Sequence, residues 1–268
     1  MKVTLRDLSL IIVLSLASTT SYANLGEVPD IDTAKGSGIK GMLGLGAMSV
    51  PEYIGGSENE TEVLPIINLT YQDKFYFRFN RGGCWFWQPQ NSHLNAGLEV
   101  GFRRGWERED LVASLSDSLD LSGPQFNETD DAILAGVNVE YSNNGFSTEV
   151  SLLTASADEN FYGEDPGIEL ILRASYTMVF SPKFSLSTSS KIEVLSKDTV
   201  NYYYGVNGYE GDLALNVSLA AIGAYRVTDN WLVLGSLGVN FLGSEIADSP
   251  LVADDSQSIA ILGAAYSF

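Results

Sequence analysis

Residues 167–180 read "GIELILRASYTMVF". Ile168, Leu170, Leu172, Ala174, Tyr176, Met178 and Phe180 fall on one side of an alternating chain, opposite Glu169 and Arg173. A period of two is the mark of a β-strand. Strands of globular sheets run to about 5–6 residues, whereas a tilted membrane crossing takes about 9–11. An apolar face this long needs either a second sheet or hydrocarbon against it.

The same alternation recurs on both sides of this stretch. Leu94, Ala96, Leu98, Val100 and Phe102 share a face, as do Ile133, Ala135, Val137, Val139 and Tyr141. Leu213 to Tyr225 and Trp231 to Phe241 repeat the pattern. In "KFYFRFN" (74–80), Phe75, Phe77 and Phe79 oppose Lys74, Tyr76, Arg78 and Asn80, and the phenylalanine face is expected to meet lipid. Twelve strands are predicted, at 38–48, 62–71, 74–81, 84–88, 93–104, 130–141, 146–156, 167–180, 184–196, 212–227, 231–242 and 257–268.

Their connections alternate in length. "QD", "QPQNS", "SNNG", "SPK" and "TDN" are tight turns of Gly, Pro, Asn and Asp. Segments 49–61, 105–129, 157–166, 197–211 and 243–256 are long, and "GG" at 82–83 fills the remaining long-loop slot. Short turns on one side and long loops on the other are the layout of an outer-membrane barrel. Tyr71, Tyr141, Phe146, Phe180, Phe184, Tyr225, Trp231, Tyr266 and Phe268 all fall beside the short turns or at the C-terminus, as an interfacial girdle would. The fold class expected is therefore all-β: a transmembrane antiparallel up-and-down barrel of about twelve strands. A secreted sandwich is the competing fold, but it would leave long apolar strands with open edges.

The first 23 residues, "MKVTLRDLSLIIVLSLASTTSYA", have a basic start, an apolar centre and an A-x-A-like end, and read as a signal peptide cleaved near Ala23. Residues 24–37 would form a periplasmic segment and 38–268 the barrel domain. Removing Lys2, Arg6 and Asp7 moves the net charge from −19 to −20. So acidic a chain repels phosphate backbones, which argues against nucleic acid. Cys84 is the only cysteine, so no intrachain disulfide is available.

Several stretches carry a family likeness: "GLGAMSVPEYIGG" (44–56), "LPIINLTYQDKFYFR" (64–78), "GFRRG" (101–105), "NYYYGV" (201–206) and the terminal "YSF". Together they resemble the MltA-interacting protein family of Gram-negative outer membranes, from about Gly38 to Phe268. The resemblance implies a non-enzymatic barrel that acts as scaffold between a murein transglycosylase and a murein synthase. It implies no catalytic residues and no cofactor.

The residues agree with the absence of catalytic machinery. His93, the single histidine, is expected beside a periplasmic turn, and no His/Cys cluster has metal-ligand spacing. Trp85 and Trp87 read as lipid-facing bulk, and the tyrosines of "NYYYGVNGY" as packing over the barrel mouth. The long loops are acidic, with only Arg108 and Lys197 opposing residues such as Glu107, Glu109, Asp110, Asp158, Glu159, Glu164, Asp165, Asp254 and Asp255. Such a field would gather cations or cationic solutes at the mouth. Lys74, Arg78, Glu99, Arg103, Glu140, Glu149, Glu169, Arg173 and Arg226 are expected to point into the lumen, with Lys191 and Glu193. Their mixed signs favour ion pairs over a selectivity ring. The alternative function is a small cation-preferring diffusion channel. Tyr266 and Phe268 are expected to be read by the barrel-assembly machinery, and lipid and lipopolysaccharide to surround the wall.

Overall fold

A computed structural model describes residues 38–206 and 208–268. The expected signal peptide and the segment 24–37 lie outside the described residues. Twelve strands close into one antiparallel barrel: β1 (Ile39–Pro51), β2 (Asn59–Tyr71), β3 (Phe75–Arg78), β4 (Arg81–Trp87), β5 (Leu94–Arg103), β8 (Ala132–Asn143), β9 (Phe146–Ser156), β10 (Ile168–Ser181), β11 (Phe184–Leu195), β12 (Ala214–Arg226), β13 (Trp231–Phe241) and β14 (Ser256–Ser267). A two-stranded ribbon, β6 (Trp106–Glu107) with β7 (Glu128–Thr129), stands outside the wall. Sequential neighbours pair throughout the wall, and β1 closes on β14 from Met42↔Ser267 to Ser49↔Ala260. Closure satisfies the backbone hydrogen bonds within the sheet wherever strands are paired, as hydrocarbon demands.

The alternation read from the sequence sets the two faces. Leu45, Val63, Leu237 and Leu262 are each at least 65% exposed on the outside, while Glu99, Glu149 and Glu169 are buried within. At the short-turn rim the girdle aromatics meet one another: Trp231 on Tyr266, Tyr141 on Phe146, and Phe180 on Phe184.

The β3–β4 hairpin departs from expectation. Its turn is Phe79-Asn80, with Arg78 opposite Arg81, and Gly82-Gly83 lies inside β4. Phe79 takes a left-handed φ of 60° there and packs with Met48, Val50, Leu64 and Ile259, off the face it was expected to share. Only Phe75 and Phe77 keep the expected side. A register shift between Trp85 and Trp87 then puts these two on opposite faces. Trp87 is exposed, whereas Trp85 is buried against the Tyr76 ring at 4.8 Å. A bulge adds one residue and so flips the face of the residues after it.

Three of the long connections carry short helices among the described residues. The loop after β5 carries α1 (Arg108–Leu115), opened by reciprocal capping between Glu107 and Asp110. The loop after β11 forms α2 (Lys197–Tyr204), whose N-cap Ser196 accepts from the Thr199 amide. A short helix, α3 (Ser244–Ala247), follows β13.

Candidate functional site

The lumen is built in three layers. At the short-turn rim lies a vestibule of about 580 Å³, lined by Asn68, Thr70, Ser142, Ser147, Thr177 and Ser189, with Arg78, Glu140 and Arg173 at its inner end. Alternation supplies this lining: the hydroxyl and amide residues fall on the strand faces opposite the lipid-facing apolar set.

The second layer is an ion-pair network. Arg78 donates to Glu140 at 2.6 Å and lies 3.6 Å from Glu149. Arg81 bridges Glu99, at 3.0 Å, and Glu149. Arg173 donates to Glu149 at 2.6 Å and sits 3.5 Å from Glu99. The Ser151 hydroxyl lies 3.2 Å from both carboxylates. Deeper, Arg103 holds Glu169 with two bonds, at 2.7 and 2.9 Å, and Glu193 with a third at 2.9 Å. Lys191 and Asn216 complete Glu193 at 3.2 and 3.3 Å. Bidentate guanidinium–carboxylate pairs of this kind are strong and geometrically specific. Arg78, Arg81, Arg103, Arg173 and Lys191 balance Glu99, Glu140, Glu149, Glu169 and Glu193, so the layer as a whole is neutral. A space of only about 30 Å³ remains among Arg81, Glu99, Arg103 and Arg173.

These charges come from β3 to β11 alone. On the facing half Met42, Ile66, Ala224, Leu232, Leu234 and Ala265 pack together, and the buried polar residues there, Asn216, Ser218, Ser236 and Gln257, are uncharged.

The third layer closes the long-loop end. Val200, Tyr202, Tyr203 and Tyr204 of α2 pack with Leu134, Leu153, Ile171, Leu195 and Ile246. Above them Tyr53, Trp106, Leu111, Phe126 and Leu251 form a second apolar cluster. Trp106 donates to the Tyr203 carbonyl at 2.9 Å, Ser249 to the Tyr204 carbonyl at 2.7 Å, and Tyr202 to the Asp158 carbonyl at 2.8 Å. Arg103 lies 5.6 Å below the Tyr203 ring and joins the ionic layer to the plug. Burial pushes the Tyr203 and Tyr204 hydroxyls above their ordinary range, and Tyr202 up to about 12.

Of the expected lumen charges, the structure brings Arg78, Glu99, Arg103, Glu140, Glu149, Glu169 and Arg173 into the network. Lys74 instead lies exposed in the β2–β3 turn, and Arg226 donates to the Asp229 carbonyl at the opposite end of its strand from the plug. Each sits where its strand ends, so neither reaches the interior. Sequence reasoning missed Arg81 because it put the hairpin turn at Gly82-Gly83. The signal was the pair of arginines flanking "FN".

The acidic loop residues divide. Glu107, Asp110 and Asp158 line a pocket of about 790 Å³ with Glu62, Glu128, Asp130 and Asp131, opposed by Arg104. Asp110 is occupied with the Glu107 amide at 2.8 Å. Glu109, Glu159, Glu164, Asp165, Asp254 and Asp255 lie outside this pocket, and Asp254 caps the Ser256 amide. Among the described residues no group of His, Cys, Asp or Glu is arranged to hold a metal. His93 stands 5.9 Å from the Tyr141 ring, edge to face, and Cys84 is a free thiol.

Solved structures similar to this chain are barrels. The NanC porin is matched over 84% of this chain and all of its own, at 9% identity and a TM-score of 0.50, a likeness of fold alone. An outer-membrane channel of Pseudomonas putida F1 is matched over 90% of this chain and 99% of its own (14% identity, TM-score 0.42). OmpT of Vibrio cholerae is matched over 89% and 100% (9% identity, TM-score 0.41). No curated protein sequence matches the chain. The model of the MltA-interacting protein MipA family matches residues 43–268, all but the first few residues of the barrel, and the chain belongs to that family.

Proposed function

We propose that this outer-membrane barrel is a non-enzymatic, non-conducting adaptor whose periplasmic face serves murein-hydrolase and murein-synthase machinery. The short-turn rim, with its vestibule, faces the periplasm, and the plugged end faces the cell exterior. The observation that carries this reading is the closed lumen: an apolar plug resting on a neutral, cross-linked ion-pair layer. A diffusion channel has no use for a buried tyrosine helix across its mouth. The family name supplies the murein partner, an MltA-type transglycosylase.

The purified protein in a planar bilayer is expected to show no steady conductance. Steady, cation-selective openings would replace this reading with the channel alternative, for which the acidic pocket at the mouth is the supporting feature. Deletion of residues 24–37 is expected to abolish pull-down of a murein transglycosylase while the barrel still assembles. Undiminished capture would count against the proposed docking segment.

A further inference from the structure

The short β3–β4 hairpin leaves the wall incomplete. β3 pairs β2 only from Asn68 to Tyr71, and β4 pairs β5 only as far as Val100. Beyond the Phe79-Asn80 tip, β2 from Asn59 to Ile66 and β5 from Gly101 to Arg103 have no strand between them. At the tip the two rims are three inter-strand spacings apart, about 14 Å. The notch opens on the lipid-facing surface. Its rims are apolar, with Val63 at 72% exposure and Pro65 on one side and Val100 and Phe102 on the other. Phe79 forms its floor, backed by Met48 and Leu64.

An open sheet edge in hydrocarbon is costly unless its polar groups are satisfied. Here some of them are removed or covered. The Phe79 amide donates to the Ile67 carbonyl at 2.8 Å, so Ile67 and its alternates Pro65 and Val63 turn their backbone toward the notch. At Pro65 there is no N–H to satisfy. The Asn80 side-chain amide reaches the Phe102 carbonyl at 3.5 Å. Above, Arg104 spans to Glu62 at 3.5 Å and Glu60 at 3.7 Å, closing the notch with charge on the side of the headgroups. Pro65 also discourages an added strand, because its position cannot donate to a ladder.

We propose that the notch between β2 and β5 is a lateral binding site for an acyl chain of a surrounding outer-leaflet lipid, seated on Phe79 and bounded above by Arg104. The occupant is hydrocarbon because both rims and the floor are apolar and Pro65 interrupts the ladder that an added peptide strand would need. The chain enters from the bilayer and leaves the plug untouched.

The test is photo-cross-linking in the outer membrane with p-benzoylphenylalanine in place of Phe79, and separately in place of Tyr76, which is buried in the lumen below the notch. A lipid-mass adduct at position 79 and none at position 76 is the expected result. A polypeptide adduct at 79 would overturn the proposal in favour of an added strand or a second copy. Absence of any adduct would show a sealed wall and overturn it equally. Phe79→Trp gives a second, milder reading. Its added emission should be quenched by lipids brominated in the acyl chain, and unquenched emission in a folded barrel would also sink the assignment.

Discussion

Glu149 is where the interior is most exposed to a single change. It lies 1% exposed within reach of Arg78, Arg81 and Arg173. Its loss strands buried guanidinium groups, and breaking such pairs typically costs about 3–5 kcal/mol. Glu149→Gln is therefore expected to lower the temperature at which the folded, fast-migrating form disappears on a gel. Glu109→Ala, on the outer side of α1, should stay within about 0.5 kcal/mol of the parent. Gly83 is a second sensitive position. A methyl group there would collide with the Leu98 carbonyl and the Tyr76 phenol. Overpacking of this kind costs about 1–3 kcal/mol, so Gly83→Ala should show the same gel shift at lower temperature, whereas Gly235→Ala, with open space at its Cβ, should not. Single-residue legibility was uneven. Glu169 and Arg173 could be placed inside from parity alone, because both lie within a long, regular strand. Lys74, Phe79, Arg81 and Trp85 could not, because a turn and a bulge reset the parity around them.

At the scale of elements, α2 decides whether the barrel conducts. Its three tyrosines turn inward, and Asn201 fastens it by exchanging bonds with Gly211 at 2.9 and 3.3 Å. Deleting residues 198–210 is expected to convert a silent bilayer record into measurable openings, limited by the ion-pair layer beneath. Adding Arg103→Ala to the deletion should raise the conductance further, because Arg103 spans Glu169 and Glu193. If the loop deletion stays silent, the ionic layer by itself seals the lumen and α2 serves only packing. The sequence marked this segment as a loop rich in tyrosine that packs over the mouth. Its helical form was less legible, since eight residues carry a weak periodic signal, and a helix this short owes its stability to tertiary burial.

For the whole molecule, closure of β14 on β1 is the step that completes the sheet. Phe268 and Gly41 exchange backbone bonds at 3.1 and 3.3 Å, and Tyr266 meets Trp231 edge to face and stacks on Phe268. Removing Phe268 is expected to reduce the heat-modifiable, membrane-inserted fraction, measured against total protein in the envelope. An unchanged fraction would mean that the terminal aromatic is no assembly signal. Strand number and order were legible in the sequence, and so was the outward face away from the β3–β4 hairpin. Lipid on one side and polar lumen on the other impose a two-residue alternation, and each strand records it locally. Which charges pair, that the lumen is plugged, and that the wall is notched above a short hairpin were decided only in three dimensions. Those outcomes depend on register between strands, on one bulge and on where a two-residue turn falls, and a period of two is blind to all three.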